Sequence, residues 1–107
     1  MRGLIMVGTV RSTAAVATAR APRYGKQLVS HLSRRSVGVW DDERSTGTLD
    51  LVGNAAHVRL RCTPEALLVT VEAADADITT YERVVASHLE RFGERDELRV
   101  QWERSTL

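Results

Sequence analysis

The residues of this sequence with the chemistry of a binding site are two histidines, His31 and His88, accompanied by Tyr24, Gln27 and Arg34. A neutral imidazole ligates a metal or haem iron through its unprotonated nitrogen, and it orients an organic ligand by hydrogen bonding. At ~100° per residue, Ile78, Tyr81, Val84, Val85, Leu89 and Phe92 form one apolar helical arc, and His88 falls inside it. Tyr24, Leu28 and Leu32 recur every four residues as a second stripe, with Gln27, His31 and Arg34 on its flank. If both helices cover the same sheet face, the two histidines converge on a pocket. The alternative is that each is a partly buried histidine bonded to a backbone carbonyl or to the other helix. No carboxylate-rich cluster or CxxC-type spacing supports a metal site, so no metal ligand and no cofactor is assigned.

Other reactive types carry less. Ser30, Ser33 and Ser87 neighbour histidines in sequence, but adjacent helix positions diverge by ~100°, and there is no G-x-S-x-G elbow. P-loop and dinucleotide fingerprints are absent, and the expectation is a non-enzymatic binding protein. His57, Arg59 and Arg61, with Arg99 and Gln101, are expected on a polar sheet face that Glu72 and Glu103 balance. With few aromatics for stacking, that face suits solvent or a dimer contact rather than nucleic acid. Trp40 and Trp102 are expected in the core or an interface, and Cys62 as a small hydrophobe.

Composition sets the frame in which these residues act. The sequence has 107 residues, 43% hydrophobic and 27% charged, which suits one small globular domain. A core of that size is modest, so a homodimer is a reasonable expectation. A net charge of +1 argues against attraction to nucleic acid or an anionic membrane as the main activity. One cysteine permits no intrachain disulfide and gives no sign of an oxidising compartment. No apolar run approaches the ~20 residues that span a bilayer. Arg2, the run to Val10 and Ala15, Ala17 and Ala19 loosely imitate a signal peptide, but Arg11 interrupts it. The expected layout is a leader over residues 1–12, with Met6 as an alternative start, one domain over 13–103 and a frayed tail over 104–107.

Periodicity places the elements. Thr13 to Thr18 reads as a strand, and Pro22 opens a helix running to about Arg35. Gly25 weakens that helix but lets a strand or ligand come close. The period then becomes two: Val37 and Val39 share one face, with Gly38 and Trp40 on the other. A polar turn over 41–47 leads to a strand over 48–52, Gly53-Asn54 makes a hairpin turn, and Ala56, Val58, Leu60 and Cys62 alternate with His57, Arg59 and Arg61. Leu67, Val69 and Val71 form the next strand; Asp75 or Asp77 caps the second helix, and Gly93 ends it as a left-handed residue. Leu98, Val100 and Trp102 face inward from a last strand. The order strand, helix, four strands, helix, strand predicts a two-layer α+β domain. Its antiparallel sheet of five or six strands is covered on one face by two helices, an element order like the TATA-binding-protein-like and helix-grip arrangements.

Three segments, TARAPRYGKQLVSHLSRR from Thr18, LLVTVEAADAD from Leu67 and VVASHLERFGERDELRVQW from Val84, resemble the bacterial family catalogued as domain of unknown function 2218. The resemblance runs from Thr13 to Trp102. Its RY-x-KQL-x-x-H segment maps to Arg23, Tyr24, Lys26, Gln27, Leu28 and His31, and its HL-x-RF segment to His88, Leu89, Arg91 and Phe92. Many members carry a second histidine where this chain has Arg34, which counts against a metal pair here. The resemblance implies a small stand-alone cytoplasmic domain in frequent genomic company with iron and siderophore uptake proteins. The expected function is therefore binding of a small molecule or iron cofactor near His31 and His88. The alternative is an interaction module that pairs with an iron-uptake or siderophore-reductase protein through the polar sheet face.

Overall fold

The structure is a computed structural model that describes residues 8–34 and 36–106. The expected leader lies outside the described residues up to residue 7. In chain order the elements are β1 (Thr9–Ala17), α1 (Ala21–Leu32), β2 (Val37–Asp41), β3 (Thr46–Leu51), β4 (Ala56–Cys62), β5 (Ala66–Ala74), α2 (Ile78–Phe92), a 3-10 turn (Glu94–Asp96) and β6 (Glu103–Thr106). One antiparallel sheet holds the described strands in the order β2-β3-β4-β5-β1-β6. The fold is α+β, two-layered, with six strands and both helices on one face. Among the described residues no helix is long and apolar enough to cross a membrane.

Alternation decides which sheet face is covered. Val10, Ser12, Ala14 and Val16 of β1, Leu49 and Leu51 of β3, Val58 and Leu60 of β4, and Leu67, Val69 and Val71 of β5 are buried beneath the helices. The intervening residues form the outer face, because successive side chains of a strand point to opposite sides. Registers carry that alternation across the whole sheet: Val58 lies opposite both Leu49 and Val71, and Val69 lies opposite Ala14.

Close approach explains two glycines. A Cβ on Gly25 of α1 would stand 2.9 Å from the Trp40 ring, and one on Gly47 of β3 would stand 2.7 Å from it. The indole of β2 therefore sits against two glycines, which gives Gly25 its role: a strand comes close there. Gly93 was expected to end α2 in the left-handed region, but its φ is −101°. The side chain of Leu98 fills the space a Cβ would need, so contact rather than backbone handedness calls for glycine. Asp77 caps α2 in position only, with no side-chain bond to the helix.

The chain ends differ from expectation. β1 begins at Thr9, and the last strand is Glu103–Thr106, where fraying was expected, rather than Leu98–Trp102. Leu98 is buried and Val100 and Trp102 are partly buried against the core, so the inward set is as expected. Hydrogen-bonded pairing with β1 starts only when the chain reaches Glu103, opposite Thr13.

An ion pair holds β6 in place. The Glu82 carboxylate is 7% exposed. It accepts bonds from Ser12 Oγ at 2.5 Å, from Arg104 Nε at 2.8 Å and from Arg104 Nη2 at 2.6 Å. Arg104 Nη2 also donates to Thr79 Oγ1 at 2.9 Å. The Arg104 guanidinium holds the Glu82 carboxyl below the usual 4.5 against the opposing effect of burial, with help from Ser12. Stability from this carboxylate is complete above the usual value and is lost as pH falls through the lower folded value. Arg104→Ala is expected to destabilise the fold, though by less than the loss of a partner from a fully buried pair, because the guanidinium is partly exposed. Urea melts at neutral and acid pH check it: the loss should shrink at acid pH, where Glu82 is protonated in either protein.

Candidate functional site

The apolar arc of α2 divides between two neighbours. Ile78, Val85 and Leu89 are buried against the sheet, whereas Tyr81, Val84, His88 and Phe92 are only partly buried. This second half faces a seam with α1, and the seam opens into a cleft of about 510 Å³. His31, Leu32 and Arg34 line it from α1 and the residues just after it, Tyr81, Val84 and His88 from α2, and Leu51 and Val52 from the β3–β4 hairpin.

Both histidines are here. Their ring centres lie 4.9 Å apart at an interplanar angle of 53°, and the Phe92 ring stands 5.5 Å from His31 and 6.0 Å from His88. His88 Nδ1 lies 2.6 Å from the Val84 carbonyl oxygen. A carbonyl only accepts, so Nδ1 carries the proton and Nε2 of the neutral ring has the free lone pair. A bond of this kind fixes tautomer and ring plane in histidines that ligate metals, and it is also the structural role foreseen for a partly buried histidine. Partial desolvation among its neighbours holds the imidazole of His31, an exposed residue, below its usual 6.5, followed by the proximity of His88, Arg34 and Arg91. Arg34 puts a positive charge on the lining, and Leu32, Leu51, Val52 and Val84 make the rest of it largely apolar.

The hairpin adds a strained residue. Val52 has φ 48°, a region that β-branched residues seldom occupy, and it is exposed at the edge of the cleft. Strain of this kind gathers at ligand clamps and active sites.

The remaining sequence-selected residues are placed as follows. Arg34 lines the cleft with the histidines. Tyr24 is buried and gives its hydroxyl to Asp96 at 2.5 Å, a bond that, with burial, pushes its pKa above 10.0. Gln27 is exposed on α1 and lines no cavity that contains the histidines. Leu51 and Val52 were missed in the sequence, because only the tertiary fold brings a hairpin tip to the helix seam. Glu82 was also missed, although its position beside Ile78 and Val85 on the arc was a signal. Among the described residues no group of three or more His, Cys, Asp or Glu side chains is arranged to hold a metal ion. Burial pushes the Cys62 thiol up, away from reactivity.

On the outer sheet face, acids and bases meet across the strands. Asp50, His57, Glu72 and Arg11 are successive cross-strand neighbours. Asp50 Oδ1 is 2.6 Å from His57 Nδ1, and Glu72 accepts from Arg11 at 2.8 Å and Arg59 at 3.3 Å. Arg61, on the same face, forms no ion pair among the described residues.

Comparison with known proteins agrees with this architecture. Residues 13–103 match the family described as "Uncharacterized protein conserved in bacteria (DUF2218)". The chain is similar to the NMR structure of PA4090 from Pseudomonas aeruginosa, with 28% identity and a TM-score of 0.67 over 87% of this chain and 94% of that one. No curated protein matches it.

The cleft carries its own pH dependence. The unfolded His31 ring binds a proton more readily than the folded ring, so stability is full above the usual imidazole value and falls as pH drops below it. His31→Gln should flatten that fall, read as urea midpoints at about pH 7.5 and about pH 5.5. An unchanged slope would place the titrating group elsewhere.

Proposed function

We propose, for a chain that belongs to the bacterial family DUF2218, a binding function without catalysis: the cleft between α1 and α2 holds a small organic anion with an apolar or aromatic body. The observation that carries this reading is the cleft itself, a largely apolar lining with two neighbouring imidazoles, one with its Nε2 free, and the positive charge of Arg34. Pockets of a few hundred Å³ that join apolar walls to a few convergent polar groups are the usual form of small-molecule sites. A bare cation fits poorly beside Arg34 and Arg91, whose charges already discourage protonation of His31.

The family resemblance selects iron-bearing ligands for the first trials. Haemin and ferric siderophores join an apolar or aromatic body to anionic groups. Two imidazoles on opposite faces of one iron hold their ring centres about 6 Å apart, at ~2 Å per metal–nitrogen bond. At 4.9 Å the pair favours one ligating ring, His88, with His31 bonding to the ligand edge. The lone Cys62 needs no oxidising compartment, and we place this binding in the cytoplasm. Titration with haemin and with a ferric siderophore should give a saturable one-to-one spectral change that His88→Ala abolishes and His31→Ala weakens. No change with either ligand, or one unaffected by both variants, would remove the iron reading.

A second copy of the chain is the partner we propose at the β2 edge. β2 ends the sheet, and Val37 and Val39 on its outer face are 69% and 60% exposed. The strand is basic before it, at Arg34, and acidic at its end, at Asp41 and Asp42. Antiparallel pairing of two copies about Gly38 sets Val37 beside Val39 of the other copy and Arg34 beside its Asp42. Unpaired edges of this kind join chains readily. Light scattering should find a dimer that Val39→Lys converts to monomer; a monomeric wild type at the highest concentrations reached would overturn the pairing.

A further inference from the structure

The α1–α2 seam has a second opening that the histidine cleft does not use. Phe92, whose ring meets His31 and His88, also lines a cavity of about 390 Å³ that four arginines share: Arg20 and Arg23 at the start of α1, Arg91 near the end of α2, and Arg95 in the 3-10 turn. Two acidic residues, Glu94 and Asp96, share the lining. Asp96 is already committed, accepting the Tyr24 hydroxyl at 2.5 Å and standing 3.9 Å from Arg20. Among the described residues Arg23, Arg91 and Arg95 form no ion pair.

Four like charges around one cavity repel one another, so the arrangement is most favourable when an anion sits among them. Guanidinium presents planar pairs of N–H donors that match the oxygens of a phosphoryl group two at a time, which makes arginine the side chain of choice for such recognition. The Tyr24–Asp96 bond ties the start of α1 to the turn after α2, and so fixes the two sides of the cavity relative to each other. Two of the three segments on which the family resemblance rests contribute: Arg23 and Tyr24 come from one, Arg91 and Phe92 from another. Sixty-eight positions separate Arg23 from Arg91 in the chain (91 less 23), and the fold brings them to one cavity.

We infer that this cavity binds a phosphoryl group, free or carried on a small molecule, as a site separate from the histidine cleft. Arg23 and Arg95 are its principal donors, Arg91 closes the side shared with the seam, and Asp96 orients Tyr24 while restraining Arg20. A more highly charged oxyanion engages more of the four guanidiniums. Pyrophosphate therefore binds more tightly than inorganic phosphate, and added salt weakens both.

The test is calorimetric and NMR titration of the full chain at low ionic strength with inorganic phosphate, pyrophosphate and a sugar phosphate, against sodium chloride at matched ionic strength. Wild type should show saturable one-to-one binding, with amide shifts confined to residues around 20–24 and 91–96. The double variant Arg23→Gln/Arg95→Gln should bind pyrophosphate at least about tenfold more weakly while its thermal melt stays that of wild type. Glu94→Gln, which removes a competing negative charge from the lining, should shift affinity the other way, and the His31→Ala and His88→Ala variants should bind as wild type does. Tighter binding of the sugar phosphate than of inorganic phosphate identifies a carried phosphoryl group, and the reverse identifies the free ion. Shifts that chloride reproduces, affinity unchanged in the double variant, or no saturable binding by any of the three anions would overturn the site.

Discussion

Two amphipathic helices share one face of a single sheet, and nearly everything distinctive about this molecule follows from that constraint. A helix covers a strip only ~10 Å wide, so α1 and α2 lie side by side over the six strands and must also meet each other. The side of α2 turned to the sheet is fully buried at Ile78, Val85 and Leu89. The side turned to α1 is a seam that ring-bearing side chains fill incompletely. A seam between two convex surfaces leaves openings at its edges. Here one opening is apolar with imidazoles at its rim, and the other is lined with arginines.

The sheet beneath is held by contacts far apart in sequence. β1 pairs with β5 along nine residues and with β6 on its other side, so the first strand becomes an interior strand that needs both later partners. Its Ser12 is fully buried, and it joins the Glu82 carboxylate, which Arg104 of β6 also clamps. A carboxylate under a helix would be costly without partners. With both its oxygens bonded it instead fastens sheet, helix and chain end together. Among the described residues no buried side-chain polar atom lacks a partner.

Charge is distributed unequally over the two layers. On the outer sheet face, Asp50 meets His57 and Glu72 meets Arg11 and Arg59 across neighbouring strands. Around the helix seam, Arg34, Arg91, Arg23 and Arg95 have no such neighbours paired to them among the described residues. The net charge of +1 averages these two patterns and reveals neither. The local excess along the seam, rather than the overall balance, is the ground on which both proposed sites take anions.

What the sequence determined by itself was everything governed by local period and turn chemistry. The alternation of Val58 and Leu60 with Arg59 and Arg61, the stripe through Leu28, the arc through Leu89 and the glycine stop at residue 93 were enough for the element order and the fold class, and they left the approach of His31 to His88 as one of two readings. Tertiary structure alone decided which half of the α2 arc meets the sheet and which the seam, because periodicity records that a face is apolar but not against what. It also decided that Tyr24 turns to Asp96 rather than to the histidines, and that residues 103–106 pair as a strand instead of fraying. Glu82, Ser12 and Arg104 lie 22 and 70 positions apart along the chain. Nothing in a local window couples such residues, since the energy that joins them exists only once the strands and helix have brought their side chains within hydrogen-bonding distance.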